Sequence, residues 1–336
     1  KDHQNASRQK IIQNDVIPTG ASAQSGDTIG LCGSRSRIGF AVLDDNALLM
    51  GLGCAIGTAG LWHPRADLAI ARGGRHHGTM KTGSVRLDRH ARHILLKEIG
   101  GPGQKRLAEA TVALVGVGGL GAPAALYLAA AGVGRLILID PDVVELSNLQ
   151  RQILFRTEDV GVDKVRAGQA AIQHLDPAIE VEVQVQRLDA TNAERLIAGA
   201  DLVLDGTDQF ETRFAVNAAC HALGIPLVSG AVGRWDGQVA VFGSGLSKTD
   251  PHGQALPCYR CFVPEVPPQA ETCAEMGIVG ALTGIVGSMM ALEAIKWLTK
   301  AGKPLMGRLW MMDGLSGQSR TVSLKADPAC PCCGVA

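Results

Sequence analysis

The chain has 336 residues with 32 Lys and Arg against 32 Asp and Glu, so its formal charge is zero. That balance argues against a nucleic-acid binder or a protein drawn to anionic membranes, and aromatics at only 4% argue against a base-stacking surface. The length allows one large domain or two small ones, and nine cysteines in such a chain point to metal or thiol chemistry in a reducing, cytoplasmic compartment rather than to a disulfide framework.

Residues 1–83 show no sustained helical or strand period. They read as an extension outside the folded domain, either non-native or mis-started, or a disordered tail. Met80 stands just before the first convincing helix, and the folded domain is expected over residues 84–336. Ala47 to Trp62 is apolar but too short for a membrane span and broken by glycines, so no membrane association is expected. Leu87 to Leu96, with Arg89 and Arg92, predicts a short helix leading toward Gly100.

The most informative stretch runs from Thr111 to Gln152. Val112 to Val115 is a short apolar run of the kind that a buried parallel strand requires. Gly116, Gly118 and Gly121 then fit G-x-G-x-x-G, with Gly119 as an extra glycine. In this pattern the first glycine allows a tight turn, the second lets backbone approach a phosphate, and the third lets helix pack close to strand. A helix over Leu120 to Ala131 follows, and its free N–H groups and positive dipole end face the turn. The next strand, Leu136 to Ile139, ends at Asp140, which is placed to accept hydrogen bonds from a ribose. Together these elements predict a nucleotide site. The plainer alternative is a tight turn in an α/β domain.

Beyond Asp140 stand Asn148, Arg151, Gln152 and Lys164. Arginine grips phosphate oxygens through a planar fork and lysine as a point charge. Singly each reads as a solvated surface residue, but clustered after an acid-ended strand they suggest phosphate contacts. Farther along, Asp163 to His174 predicts a helix, Glu180 to Val185 and Leu202 to Leu204 strands, Gln209 to Leu223 a helix and Pro226 to Val228 a strand. Asp208 lies in the turn after the Leu202 strand, where a carboxylate could hold the Mg²⁺ of a nucleotide or simply cap the next helix. After Gly237 the strands Gln238 to Phe242, Leu309 to Met312 and Arg320 to Leu324 lack crossover helices, and Gly280 to Leu298 predicts one long helix. The expected fold class is therefore α/β: a Rossmann-like, mainly parallel sheet with helices on both faces, continued by antiparallel strands.

Cys258 and Cys261 form one C-x-x-C pair, and Cys330 and Cys333 another. Two such pairs can supply the four thiolates of a structural zinc site that ties distant segments together; a redox pair and unligated thiols are the alternatives. Cys332 could replace Cys333 by a shift of one residue. Cys273 stands apart, after a proline-rich stretch, where a thiol nucleophile and an inert small residue have similar claims.

The motifs GVGGLG, LIDPDVVELSNLQRQ, VGVDKV, DGTDQFETRFAVN, PLVSGA, GQVAVF, CYRC and CPCCG stand in family order from Arg86 to Gly334. Over that span the chain resembles the MoeB/ThiF/HesA adenylyltransferases, relatives of the ubiquitin-activating enzymes, with the molybdopterin-synthase branch nearest and the thiamine branch next. The resemblance implies ATP-dependent adenylylation of the C-terminal Gly-Gly carboxylate of a small ubiquitin-like sulfur carrier, with release of pyrophosphate. It implies that Gly116, Gly118, Gly119 and Gly121 line the nucleotide and that Asp140 takes the ribose. Asn148, Arg151, Gln152 and Lys164 would contact phosphates, Asp208 would hold Mg²⁺, and Cys258, Cys261, Cys330 and Cys333 would bind zinc. Arg92 matches an arginine that reaches the neighbouring subunit's nucleotide, which implies a homodimer. Cys273 matches a crossover cysteine that bonds the carrier in some members. The chain stops just after the second pair, so sulfur is expected from a separate donor protein. Two readings from other classes remain: an NAD-dependent oxidoreductase, which would bind nicotinamide and release no pyrophosphate, and a non-catalytic scaffold for a ubiquitin-like partner.

Overall fold

The structure is a computed structural model, and it describes residues 82–249, 255–266 and 277–334. The expectations for residues 1–81, including the extension and the Ala47–Trp62 segment, and that for Cys273 lie outside the described residues.

The chain enters through two helices, α1 (Thr82–Ile94) and α2 (Gly100–Glu109). It then alternates β1 (Thr111–Val115), α3 (Gly121–Ala131), β2 (Arg135–Ile139), α4 (Lys164–Leu175), β3 (Glu180–Gln184), α5 (Ala193–Ile197), β4 (Leu202–Asp205), α6 (Phe210–Leu223) and β5 (Leu227–Gly233). The remainder is β6 (Asp236–Phe242), the short α7 (Tyr259–Phe262), α8 (Gly280–Thr299), β7 (Arg308–Asp313) and β8 (Gln318–Ser323). All eight strands form one sheet in the order β3-β2-β1-β4-β5-β6-β7-β8. The first five are parallel and the last three antiparallel, as the change of rhythm after Gly237 predicts.

Alternation along the strands divides the core in two. Val112 and Leu114 face one side with Leu136 and Leu138, where α3, α4 and α8 cover them. Ala113 and Val115 face the other with Ile137 and Ile139, under α5 and α6. Strands buried on both faces read as continuous apolar runs, which is why β1, β2 and β4 are legible without a period-two pattern. Each fully buried Leu or Ile contributes about 1.5–3 kcal/mol, so Leu114, Leu136, Leu138 and Leu204, all at 0% exposure, anchor the sheet. Helix α8 is long and apolar enough to cross a membrane, but half of the relevant stretch is buried and it packs against α3 and β5. Its composition is that of a core helix.

From β1 the chain builds outward through β2 and β3, then returns to place β4 on β1's other edge. That reversal leaves a crevice outside the carboxyl ends of β1 and β4, the usual ligand position in open α/β sheets. Val115 pairs with Asp205 across this seam, so the loops after β1 and β4 leave side by side.

Candidate active site

The glycine turn occupies that crevice, and Gly116, Gly119 and Gly121 each have a geometric cause. Gly116 takes φ +82°, a conformation costing an L side chain roughly 1–2 kcal/mol, and a Cβ there would lie 3.1 Å from Thr207 Cγ2. At Gly121 a Cβ would stand 2.0 Å from the Gly116 carbonyl oxygen, so only hydrogen fits where α3 starts. Gly118 and Gly119 face side chains instead: Gln152 Nε2 lies 3.6 Å from a Cβ at Gly118, and Thr283 Cγ2 and Arg151 Cδ lie 3.2 and 3.6 Å from one at Gly119. Gly121→Ala should therefore lower stability by about 2 kcal/mol or more and weaken ATP binding, while Gly118→Ala leaves the melting temperature nearly unchanged. Thermal melts with an ATP titration check this; a fully stable Gly121→Ala protein would contradict the packing.

Asp140 follows β2 as expected and is 5% exposed. Its Oδ2 accepts from Val117 N at 2.8 Å and its Oδ1 from Asp142 N at 2.9 Å, so the carboxylate holds the glycine turn and its own loop while retaining lone pairs for a ligand. Burial pushes its carboxyl above the usual range, and the Lys164 ammonium draws it partly back. Lys164, 7% exposed, begins α4 and pairs with Asp142 at 3.0 Å. Asn148 is buried in a short 3-10 turn (Leu146–Asn148), and Arg151 donates to the Ser147 carbonyl at 3.2 Å while its stem lies over Gly119. Gln152 is 4% exposed, and its Oε1 is buried without a hydrogen-bond partner. A buried unpaired amide beside a glycine turn is the kind of group a ligand satisfies.

Asp208 lies in the loop after β4, exposed, and its side chain makes no hydrogen bond among the described residues. The capping alternative does not hold, because Gln209 occupies the N-cap of α6 and no side chain caps it. The carboxylate is open to a cation at a loop that touches the glycine turn through Thr207.

Arg92 is placed differently. Arg89 ties α1 to the Leu175 carbonyl at 3.0 Å and to Asp176 at 3.5 Å, while His90 packs against Gly132. Those contacts fix α1 at the C-terminal ends of α4 and α3. An 11-residue helix, about 16 Å, separates that end from the glycine turn. The exposed Arg92 is therefore not brought to the glycine turn of its own chain.

Three residues that the sequence reading passes over belong to this site or its support. Thr283, 1% exposed near the start of α8, packs on Gly119 and donates to the Arg151 carbonyl at 3.4 Å. Its helix comes close because Gly280 and Gly287 leave room for the Gln150 and Leu120 carbonyls. Arg213 and Asn217 lie one turn apart on α6, both buried. Arg213 reaches back to the β4 loop, and Asn217 reaches forward to the cysteines, accepting from Tyr259 N at 2.7 Å and donating to Cys332 Sγ at 3.2 Å.

The sulfurs of Cys258, Cys261, Cys330 and Cys333 all lie within 4.8 Å of one another. Zinc with sulfur at about 2.3 Å sets tetrahedral S···S distances near 3.8 Å, so four thiolates here fit such an ion. Backbone N–H groups of Asp327 and Cys332 donate to the Cys261 and Cys330 sulfurs, each at 3.4 Å, and so hold both sulfurs in place and favour their thiolate form. Burial and the Cys261 thiol push Cys333 up to about 12, a crowding that a divalent ion would relieve. Cys332 Sγ accepts from Asn217 and also hydrogen-bonds the Cys258 thiol, but the four sulfurs that lie within 4.8 Å of one another are those of Cys258, Cys261, Cys330 and Cys333.

Fold and site together define an α/β protein with a glycine turn in the crevice at its strand-order reversal and a tetrathiol cluster joining its C-terminal segment to α7. The chain belongs to the ThiF family, whose model matches residues 90–332. It is 46% identical over 250 residues to a sulfur carrier protein adenylyltransferase of Thermus thermophilus, covering 74% of this chain and 91% of that one. With the ThiS adenylyltransferase of Escherichia coli it shares 44% identity over 246 residues, covering 73% and 94%. Among solved structures, E. coli MccB bound to a MccA derivative has the same fold, with a TM-score of 0.65 at 21% identity over 76% of each chain.

Proposed function

We propose that this chain is an ATP-dependent adenylyltransferase acting on the C-terminal Gly-Gly carboxylate of a small ubiquitin-like sulfur carrier. The observation that carries the reading is convergence: Arg151, Gln152, the Thr207–Asp208 loop and Asp140 all meet one glycine turn, and the Lys164 charge acts on Asp140 from nearby. In the reaction a carboxylate oxygen bonds to the α-phosphorus, the bond to the bridging oxygen breaks, and pyrophosphate leaves. No general base is required, because the carrier carboxylate is ionised at neutral pH. Approach of one anion to another is the obstacle, so the guanidinium of Arg151 and the ammonium of Lys164 act by stabilising charge on the phosphates. Asp208 would hold Mg²⁺, which screens phosphate charge when bound. Asp140 would orient the ribose, and α3 directs its free N–H groups at the phosphates.

The carrier is proposed to be MoaD-like, in molybdopterin cofactor synthesis, with sulfur supplied by a separate donor protein. A ThiS-like carrier is the second reading, favoured by the 44% identity to an enzyme named for ThiS. Carrier-dependent ATP–pyrophosphate exchange with a panel of Gly-Gly carriers tests both, and exchange with none of them would refute the activity. Hydride transfer and a passive scaffold leave Arg151 on the turn and Lys164 beside Asp140 without a task. The described cysteines are free thiols, in keeping with a cytoplasmic enzyme, and zinc is the proposed occupant of the tetrathiol cluster. Cys273 is proposed as the thiol that would attack the carrier's acyl-adenylate carbonyl, forming a thioester as the acyl–phosphate bond breaks and AMP leaves.

A homodimer is the proposed assembly. Two mutually packed helices expose large apolar side chains, Tyr127 on α3 and Ile285 and Leu292 on α8, at 57%, 44% and 49%. Such exposure on a core helix suits a second copy of the chain. It would also explain Arg92, which lies far from its own glycine turn. Mixing Arg92→Ala and Asp208→Ala subunits in equal amounts should restore about a quarter of wild-type exchange, because half the dimers carry one whole site. Verified heterodimers with no recovery would refute action in trans.

A further inference from the structure

The Asp208 carboxylate makes no side-chain hydrogen bond among the described residues and feels the Arg213 guanidinium only through space, so precision in its position must come from the backbone before it and from that cation. That backbone is held on both sides. Asp205, wholly buried at the end of β4, accepts from Thr207 N at 3.0 Å and Thr207 Oγ1 at 2.7 Å. On the other side, the Thr207 carbonyl accepts from Arg213 Nη2. Arg213 is 5% exposed and completes its fork on β5, donating to the Gly230 carbonyl at 2.8 Å and to Ser229 Oγ at 3.2 Å. Ser229 Oγ in turn donates to Asp205 Oδ2 at 3.4 Å, and Arg213 Nη1 stands 3.9 Å from the same oxygen.

A planar peptide links Thr207 to Asp208, so fixing the Thr207 carbonyl fixes the amide plane from which the Asp208 side chain springs. Burying a guanidinium is costly, and apolar side chains of similar volume often serve stability as well. Stability alone therefore gives a weak reason for a full cation beneath this loop, whereas clamping the loop to strand β5 needs several directed donors.

We propose that Arg213 is a positioning residue that sets the Asp208 carboxylate for the divalent cation of the bound nucleotide. The inference rests on the metal role proposed for Asp208, and the two can fail separately. The test measures Mn²⁺ affinity by electron paramagnetic resonance in the full chain saturated with α,β-methylene-ATP. Melting temperature and analogue affinity in EDTA are recorded for every variant. Asp208→Asn should weaken Mn²⁺ binding by about tenfold or more, as should Arg213→Lys, with analogue affinity in EDTA kept within about twofold. An unchanged Mn²⁺ affinity in Asp208→Asn would remove the metal role itself. If Asp208→Asn weakens binding and a folded Arg213→Lys does not, Arg213 is merely structural and the inference is overturned. Should Arg213→Lys fail to fold, Ser229→Ala decides, because it removes only the hydroxyl linking Arg213 to Asp205. A weakening of about two- to threefold supports the clamp, and wild-type Mn²⁺ affinity overturns it.

Discussion

Replacing Asp208 with Asn should lower carrier-dependent ATP–pyrophosphate exchange by about a thousandfold or more while leaving the fold untouched. The two halves of that expectation have different sources. Loss of exchange follows from removing a charged ligand where phosphate charge must be screened. Preservation of the fold follows from the position: Asp208 is exposed, makes no side-chain hydrogen bond among the described residues and does not cap α6. Exposed substitutions of this kind usually change stability by no more than about 0.5 kcal/mol. Steady-state exchange, a melting curve and ATP binding in EDTA separate the two. An Asp208→Asn protein that exchanges at the wild-type rate would end the catalytic assignment.

The second large effect concerns the tetrathiol cluster. With zinc as the proposed occupant, Cys333→Ser should lose metal and lower the melting temperature by about 10 °C, whereas Cys332→Ser should keep both nearly unchanged. The contrast rests on geometry, since Cys333 stands 3.4 Å from Cys261 and completes the set within 4.8 Å, whereas Cys332, hydrogen-bonded to Asn217 and to the Cys258 thiol, stands outside that set. Structural zinc contributes roughly 10–16 kcal/mol of binding in small peptides, but this domain has its own cores and should not unfold outright. Metal content by mass spectrometry, read beside the melts, settles the matter. Equal metal loss in both variants would mean that the ligand set shifts between neighbours.

The nucleotide-binding half is legible in the sequence because its local and tertiary demands coincide. Val112 to Val115 is apolar on both faces of a doubly covered strand, and the glycines stand where backbone approaches backbone. Helix α2 shows the opposite case. Its sequence GGPGQKRLAE opens with three glycines and a proline, poor helix formers, and buries only Gly103, Gln104 and Leu107. Packing against α1 and α8 supplies what propensity does not. Strand β5 likewise extends past Val228 to Gly233, since Gly230 belongs in a strand only once the Met290 side chain lies against it. At the site, Asp140 and Arg151 are marked by their distance from the turn. Arg213 reads in sequence as one more cation on a helix, and its burial depends on partners from two other elements.

The cysteine cluster also sets an order in time. Its two pairs are 72 residues apart, with α8, β7 and β8 between them. During synthesis the glycine turn, Asp208 and α6 emerge first, and Cys258 and Cys261 soon after. The other two sulfurs follow only when the last strand has left the ribosome. Closing a loop of that length costs roughly 4 kcal/mol of chain entropy, which the unfinished chain cannot recover from half a ligand set. A metal held by all four sulfurs would thus be captured as a closing step of biogenesis, after the glycine turn and α6 have been made.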